Sequence, residues 1–77
     1  MGEAAGKGIT ADSDVMHGKP VIEGTRVPVE IVLNTLAEGV AVEEVCREFD
    51  LERKQVLAAV RYAAERVSSE EYRALEA

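Results

Sequence analysis

The apolar residues in the second half of the chain recur every three or four positions, which is the period of a helix. This spacing over 29–37 predicts a first helix, with Pro28 at its start, where the missing N–H of a proline is harmless. Gly39 is typical of a helix end, because glycine adopts the left-handed backbone without a steric penalty. The same period over about 42–49 and about 52–67 predicts two further helices.

A short apolar segment before the first helix predicts a tight β-hairpin. Residues 18–28 read GKPVIEGTRVP, and apolar and polar positions alternate around Gly24, whose backbone suits a turn. Because so short a strand pair is weak alone, we expect it to pair with a second copy across a two-fold axis. The residues expected to form this homodimer are Val21, Ile22, Gly24, Val27 and Ile31.

Residues 42–60, VEEVCREFDLERKQVLAAV, have the pattern of a helix-turn-helix unit. Two short amphipathic helices are separated by about three residues, and we expect Leu51 to fill the space inside the turn. Asp50 occupies the turn position where glycine is usual, and aspartate tolerates the left-handed backbone better than most residues. The core-facing stripe of the third helix is expected to comprise Val56, Leu57, Val60, Ala63, Ala64 and Val67.

The polar side chains on the outer face of the third helix form a candidate DNA-binding surface. Such side chains hydrogen-bond to phosphates or base edges, and a small alanine between them permits close approach to a groove. The candidate DNA-binding residues are Arg53, Lys54, Gln55, Ala58, Arg61 and Tyr62. A charged outer face also occurs in many three-helix units that never contact DNA, and Glu52 and Glu65 would repel phosphates. The pattern leaves both interpretations open.

Together these elements predict a mainly α fold, a trihelical helix-turn-helix bundle with a short N-terminal β-hairpin. Residues 1–8 contain three glycines and no apolar cluster, so we expect a disordered N-terminal arm. The strand element and the helix-turn-helix domain occupy 9–67. Residues 68–77 are expected to form a short C-terminal helix or tail, capped by Ser68 or Ser69.

Size and composition narrow the possible classes of protein. The chain has 77 residues, enough for one small domain, and its single cysteine, Cys46, excludes an internal disulfide. No apolar run approaches the roughly 20 residues of a membrane helix, and the first residues lack the apolar core of a signal peptide. We therefore expect a cytoplasmic protein with no membrane partner. The formal net charge of −6 argues against nonspecific attraction to nucleic acid, although a local basic face would permit specific binding.

The sequence contains little that would support catalysis or cofactor binding. Asp12, Asp14 and His17 are neighbours, but three close positions in a loop give weak ligand geometry, so we expect no metal site. Cys46 lies on the expected inner face and is better explained as a small core residue than as a nucleophile. Since a glycine-rich phosphate loop is also missing from the sequence, we expect no catalytic residue, no cofactor and no enzyme activity.

The stretch 9–65 contains the motif GKPVI-x-GTR-x-P, followed by L-A-x-G and E-E at characteristic spacing. With these motifs the chain resembles the domain of unknown function family 433, which is identified with VapB-type antitoxins. The resemblance implies a homeodomain-like helix-turn-helix fold with an N-terminal strand segment. It also implies the antitoxin half of a toxin–antitoxin pair, in which a DNA-binding dimer represses its own operon and another segment covers the toxin, typically a PIN-like ribonuclease.

Several positions depart from the pattern of that family. Ala41 stands where serine commonly caps the second helix and Glu52 where threonine usually caps the third, and loss of a cap costs about 1 kcal/mol. Residues 53–55 replace a stretch that is often acidic, which favours DNA contact in this chain. In the acidic tail, Tyr72 and Leu75 are the candidate toxin-binding residues, since they could anchor a helical turn in a groove. A solvated closing helix is the alternative there.

The leading hypothesis is a dimeric DNA-binding antitoxin that neutralises a PIN-like ribonuclease toxin and represses its own operon. Its partners would be a second copy, the toxin and operator DNA. One alternative is a protein-interaction module that binds a partner nuclease without contacting DNA, which the net charge of −6 favours. A free-standing helix-turn-helix regulator is the other alternative.

Overall fold

Three strands precede three helices in this computed structural model, which describes the backbone of residues 3–76 and the side chains of residues 4–69. The strands are β1 (Glu3–Gly6), β2 (Ile9–Asp12) and β3 (Val15–Ile22). The helices are α1 (Val29–Ala37), α2 (Val42–Phe49) and α3 (Arg53–Glu76). Within this described part, no helix combines the length and the apolar character that crossing a membrane requires.

The strands form one antiparallel sheet in the order β1-β2-β3. Ile9 of β2 lies opposite Ile22 of β3, and both side chains are buried, so they form the part of the sheet that enters the core. In the turn between β2 and β3, the Asp12 carboxylate accepts a hydrogen bond of 2.9 Å from the Asp14 N–H. This local bond closes the turn in the way that short acidic side chains commonly do.

The sheet corrects the predicted fold. The three predicted helices are present, but the prediction of a trihelical bundle with a short N-terminal hairpin is wrong, because a three-stranded sheet precedes them. Around Gly24 the chain makes a tight turn that closes through a single bridge between Val21 and Pro28. The longer pairing of Ile22 is with β2. Residues 3–6, in the segment for which the sequence predicts a disordered arm, form β1.

The sequence pattern does not show β1 or most of β3, because their residues have weak strand preferences. β3 reads VMHGKPVI, and glycine and proline are both unfavourable inside strands. Met16 and His17 have positive φ angles of 51° and 56°, which interrupts the alternation of the side chains. β1 reads EAAG and contains no β-branched residue. The three strands follow one another directly and pair as neighbours, so short turns rather than strand preference bring them together.

One apolar core joins the sheet to all three helices. Its members come from β2, β3, α1, α2, the α2–α3 connection and α3, and they are Ile9, Ile22, Val29, Val32, Val45, Leu51, Val56 and Ala59. In the described residues, no buried side-chain nitrogen or oxygen is left without a hydrogen-bond partner. The core is thus a single aliphatic cluster, which is expected of a domain too small for two cores.

The connection between α2 and α3 has the geometry that the sequence predicts. α2 covers 42–49, and Asp50 adopts the left-handed backbone with φ 55° and ψ 51°. The Leu51 N–H donates a hydrogen bond of 2.9 Å to the Cys46 carbonyl oxygen, which also accepts from the Asp50 N–H. Leu51 is buried in the core. The turn is therefore fixed by its backbone and by one inserted leucine.

α3 differs from the prediction in its length and in the face that it buries. The helix runs continuously to Glu76, so 68–76 continue α3 where the sequence predicts a separate short helix or tail. Val56 is buried as expected, but Leu57, Val60 and Val67 are 46%, 39% and 52% exposed. The predicted core stripe of α3 is therefore wrong for these three residues and for Ala64, which is also exposed. The reason is that apolar residues lie on two sides of this helix, and the sheet covers only one of them.

The turn between β1 and β2 packs closely on the covered side of α3. Gly8 has φ +78°, and a Cβ at this position would lie 3.2 Å from the Cβ of Ala58. A Cβ at Gly6 would lie 3.0 Å from Cδ1 of the Tyr62 ring. The Glu23 N–H donates a 2.9 Å hydrogen bond to the Gly8 carbonyl oxygen and so ties this turn to the end of β3. Small residues thus let the sheet lie directly on the helix.

Substituting Gly8 with alanine should destabilise the protein more than the same change at Gly24. Both glycines have a positive φ, which costs an alanine roughly 1–2 kcal/mol. Gly24 has open space around it, whereas alanine at position 8 would also press on Ala58. Urea unfolding of the two variants measures the difference. Equal losses of stability would show that the turn does not pack on α3.

Substituting Ala41 with serine should stabilise the protein by about 1 kcal/mol, which is the usual value of an N-terminal cap. Ala41 is the cap residue of α2, its backbone is extended as a cap requires, and it makes no side-chain capping hydrogen bond. Glu44, three residues later, completes the sequence of a capping box. Urea unfolding measures the gain, with Ala41→Val as the control. An equal gain for valine would contradict a capping effect.

Candidate nucleic-acid interface

A shallow groove of about 600 Å³ lies between the sheet and the N-terminal half of α3. Its walls are the β1–β2 turn, the end of β3 and one side of α3. The residues that give it its chemistry are Lys7, Glu23, Lys54, Gln55, Ala58 and Arg61. The packing of Gly8 on Ala58 brings the turn, and Lys7 with it, next to the helix. The groove is therefore a product of the contact between sheet and helix.

Three cationic side chains line the groove, against one carboxylate. Lys7 comes from the turn, and Lys54 and Arg61 lie seven residues apart on α3, which is about two helical turns. Glu23 supplies the carboxylate. In a chain with a formal net charge of −6, this groove is a local excess of positive charge. A local excess of this kind attracts phosphates even when the whole protein is acidic.

The ion pairs at the start of α3 are exposed and weak. The Lys54 Nζ lies 3.5 Å from Oε1 of Glu52, and these side chains are 83% and 72% exposed. Exposed pairs contribute little to stability and are screened by salt, so Glu52 does not hold the Lys54 ammonium in place. Lys54 can therefore turn towards an anion in the groove.

Gln55 has a structural role at the start of α3. The Glu52 N–H donates a 2.8 Å hydrogen bond to Oε1 of Gln55, which is one half of a capping box. This bond satisfies one of the N–H groups that precede the first helical turn. It also fixes the Gln55 amide at the edge of the groove.

The structure separates the six candidate DNA-binding residues into three groups. Lys54, Gln55, Ala58 and Arg61 line the groove together. Arg53 turns towards α2, where its Nη1 lies 3.2 Å from Oε1 of Glu43. Tyr62 lies on a different side of α3. The four groove residues therefore form one surface, and Arg53 and Tyr62 do not belong to it.

Lys7 is the cationic groove residue that the sequence pattern does not indicate. It lies in the segment for which the sequence predicts disorder, although it is in the turn that follows β1. The available signal is the lysine–glycine pair at 7–8, since glycine between two short segments is typical of a tight turn. No sequence pattern indicates that this turn packs on α3.

A second groove, of about 440 Å³, lies on the other side of α3, between this helix, α1 and β3. Its lining is mainly apolar and includes Pro20, Val29, Leu33, Tyr62, Ala63 and Val67. At its rim, the Lys19 Nζ lies 2.6 Å from Oε1 of Glu30. The guanidinium carbon of Arg66 lies 5.2 Å from the centre of the Tyr62 ring, within the range of a cation–π contact. This groove is therefore apolar in its interior, with charged side chains at its rim.

The residues expected to form a homodimer do not share one exposed surface. Val21 and Ile22 are 2% and 1% exposed and lie inside their own chain, so their side chains are not available to a second copy. Val27 is half-buried and packs against the core. Gly24 and Ile31 are exposed. The hairpin interface predicted from the sequence therefore lacks its two central apolar side chains.

The two candidate toxin-binding residues, Tyr72 and Leu75, have side chains outside the described residues. Their backbone belongs to the last part of α3. Within residues 4–69, no three His, Cys, Asp or Glu side chains lie close enough together to hold a metal ion.

Comparison with known proteins identifies the family. Residues 9–63 match the model of a family described as "Protein of unknown function (DUF433)". Among solved structures, the chain is similar to the X-ray crystal structure of Rv2018 from Mycobacterium tuberculosis, with a TM-score of 0.62 and 27% identity. That likeness covers 68% of this chain and 24% of the other, so this chain spans about a quarter of the length of Rv2018. No curated protein matches this chain. Because the family model covers most of the sequence, including the GKPVI-x-GTR-x-P motif, this protein belongs to the DUF433 family.

Proposed function

We propose that this protein is the VapB-type antitoxin of a type II toxin–antitoxin pair, and that it binds operator DNA with the groove at the start of α3. The observation that carries the proposal is the grouping of Lys7, Lys54 and Arg61 in one groove of an acidic protein. Cations that converge from separate segments are the arrangement that phosphate contact requires. Their position beside the first turns of α3 gives them access to a DNA backbone.

The arrangement of α2 and α3 supports a helix-turn-helix mode of binding. The two helices are joined by residues 50–52, and the left-handed Asp50 makes the chain turn sharply. In such units the second helix enters the major groove with its N-terminal residues towards the bases. Gln55 and Ala58 lie on the groove side of that part of α3. The Gln55 amide can hydrogen-bond to a base edge, and the small Ala58 side chain lets the DNA approach the helix closely.

The apolar groove supports the proposed toxin partner. A PIN-like ribonuclease toxin would be held by apolar contacts with Pro20, Leu33 and Ala63, and by Arg66 at the rim. Tyr72 and Leu75, further along α3, remain the proposed anchors of this partner. The two grooves lie on different sides of α3, so one copy can hold DNA and the toxin at the same time.

A protein-interaction module that never contacts DNA is the second candidate. Acidic partners lie close to the cations at the start of α3: Arg53 pairs with Glu43, and Lys54 lies near Glu52. Together with the net charge of −6, these carboxylates would weaken attraction to DNA. In this second function, the protein would bind its partner through the apolar groove alone. A free-standing regulator is a third possibility, which the apolar groove does not favour.

Replacing Lys7 and Lys54 with alanine should weaken binding to the promoter region upstream of the gene by roughly 10-fold or more. Each phosphate contact that is lost should lower the slope of log K against log salt by about 0.9, so the double variant should lose about 2. Gel-shift titrations at several salt concentrations measure both quantities. Lys19→Ala is the matched control, because Lys19 is exposed but lies at the other groove. Unchanged binding in the double variant would place DNA elsewhere.

Co-expression with the product of the neighbouring gene tests the toxin partner and separates the two candidates. We expect the two proteins to co-purify, and Leu33→Glu in the apolar groove to abolish this without affecting the gel shift. Co-purification with no gel shift, even at low salt, would support the module that does not bind DNA. A gel shift without co-purification would support the free-standing regulator.

A further inference from the structure

An apolar stripe lies exposed along the outer side of α3. It consists of Leu57, Val60, Ala64 and Val67, all of them exposed. Among the residues whose side chains the structure describes, five large apolar side chains are exposed, and three of these belong to this stripe. Single exposed apolar residues are normal on a protein surface, but a line of them on one helix indicates a contact surface.

The spacing of the stripe is that of a helix that packs against another helix. Its members are separated by three, four and three residues, which is the a-and-d pattern of a coiled-coil seam. From Leu57 to Val67 the stripe is about 15 Å long. We propose that it is the interface with a second copy of this chain, whose α3 packs against it in the antiparallel direction.

Charge complementarity identifies the occupant and its direction. Arg61 and Glu65 are exposed and flank the same edge of the stripe, one helical turn apart. When two copies pair in antiparallel directions with Leu57 opposite Val67, Val60 lies opposite Ala64. Arg61 of each copy then lies beside Glu65 of the other copy, about 3 Å apart along the helix axis.

The two-fold axis repeats this ion pair, so each helix supplies the arginine of one contact and the glutamate of the other. A parallel pair would not bring these charges together. In a parallel pair, Arg61 would lie beside the opposite edge of the second helix. The nearest residue on that edge, at the same height along the helix axis, is Ala63. The antiparallel arrangement therefore matches both the apolar stripe and the charges. It would also enlarge the buried apolar core of a domain that is small on its own.

The dimer has a consequence for the basic grooves. Antiparallel helices related by a two-fold axis bring their like edges together, so the edge that carries Lys54 and Arg61 lies on the same side in both copies. Both basic grooves would then open on one face of the dimer, where Lys7 and Lys54 stay available to a single DNA duplex while Arg61 pairs with Glu65 of the second copy. In this respect the inference rests on the proposed function, which requires two copies.

Sedimentation equilibrium of the full chain without DNA tests the interface. We expect the wild-type protein to form dimers at tens of micromolar or below, and Val60→Glu to raise the dimer dissociation constant at least 10-fold. Ile31→Glu is the matched control, because Ile31 is 41% exposed and Val60 is 39% exposed, and Ile31 lies on α1. Circular dichroism checks that each variant remains folded, and Ala64→Glu provides a second variant.

Several results would overturn this interface: a wild-type monomer at all concentrations, a dimer that survives Val60→Glu and Ala64→Glu, or a dimer that Ile31→Glu dissociates. Because DNA is not present, these results do not depend on whether the protein binds it. Loss of the gel shift with an intact dimer would instead count against the proposed function alone.

Charge reversal and cross-linking test the direction of the helices. Arg61→Glu should weaken the dimer, and the double variant Arg61→Glu with Glu65→Arg should restore it. In a Cys46→Ala background, Val60→Cys mixed with Ala64→Cys should form a disulfide-linked pair on mild oxidation, whereas Val60→Cys alone should form much less. Efficient cross-linking of Val60→Cys to itself, or no restoration by the double variant, would contradict the antiparallel arrangement.

Discussion

Ile9 and Ile22 lie opposite each other on β2 and β3, and with Val56 and Ala59 of α3 they belong to one core. This contact decides how α3 is rotated about its own axis. Once Val56 and Ala59 face the core, Leu57 must face away from it, because successive helical residues are 100° apart. Val60, one turn after Val56, lies at the edge of the buried face and is 39% exposed. The same rotation places Lys54 and Arg61 beside the β1–β2 turn. The positions of the grooves and of the exposed stripe thus follow from the way α3 packs on the core.

The helical half of the molecule could be predicted from sequence because its signals are local. The bounds of α2, the left-handed Asp50 and the inserted Leu51 all follow from residue types at fixed spacing. The sheet could not be predicted in this way. β3 contains a glycine, a proline and two non-glycine residues with positive φ, so its local pattern does not mark it as a strand, although it follows β2 directly in the chain.

In the candidate site too, the features set by helix geometry could be predicted, whereas those set by contacts between separate elements could not. Helical geometry correctly groups Lys54, Ala58 and Arg61 on one side of α3. It cannot show that Ala58 is covered by Gly8, that Tyr62 packs on Gly6, or that Arg53 reaches Glu43 of another helix. Lys7 enters the groove only because its turn packs on α3. A helix with apolar residues on two sides offers two possible inner faces, and only the tertiary contacts select one.

The edge of β1 has a consequence for the behaviour of the folded protein at high concentration. An open strand edge is a template on which sheets from different molecules can join and aggregate. Here the edge strand is four residues long, is made mostly of alanine and glycine, and has an irregular register between Ala4 and Gly6. So short and irregular an edge offers an incoming strand few backbone hydrogen bonds and little side-chain contact. The molecule is thereby protected against fibril-like growth from this end of its sheet.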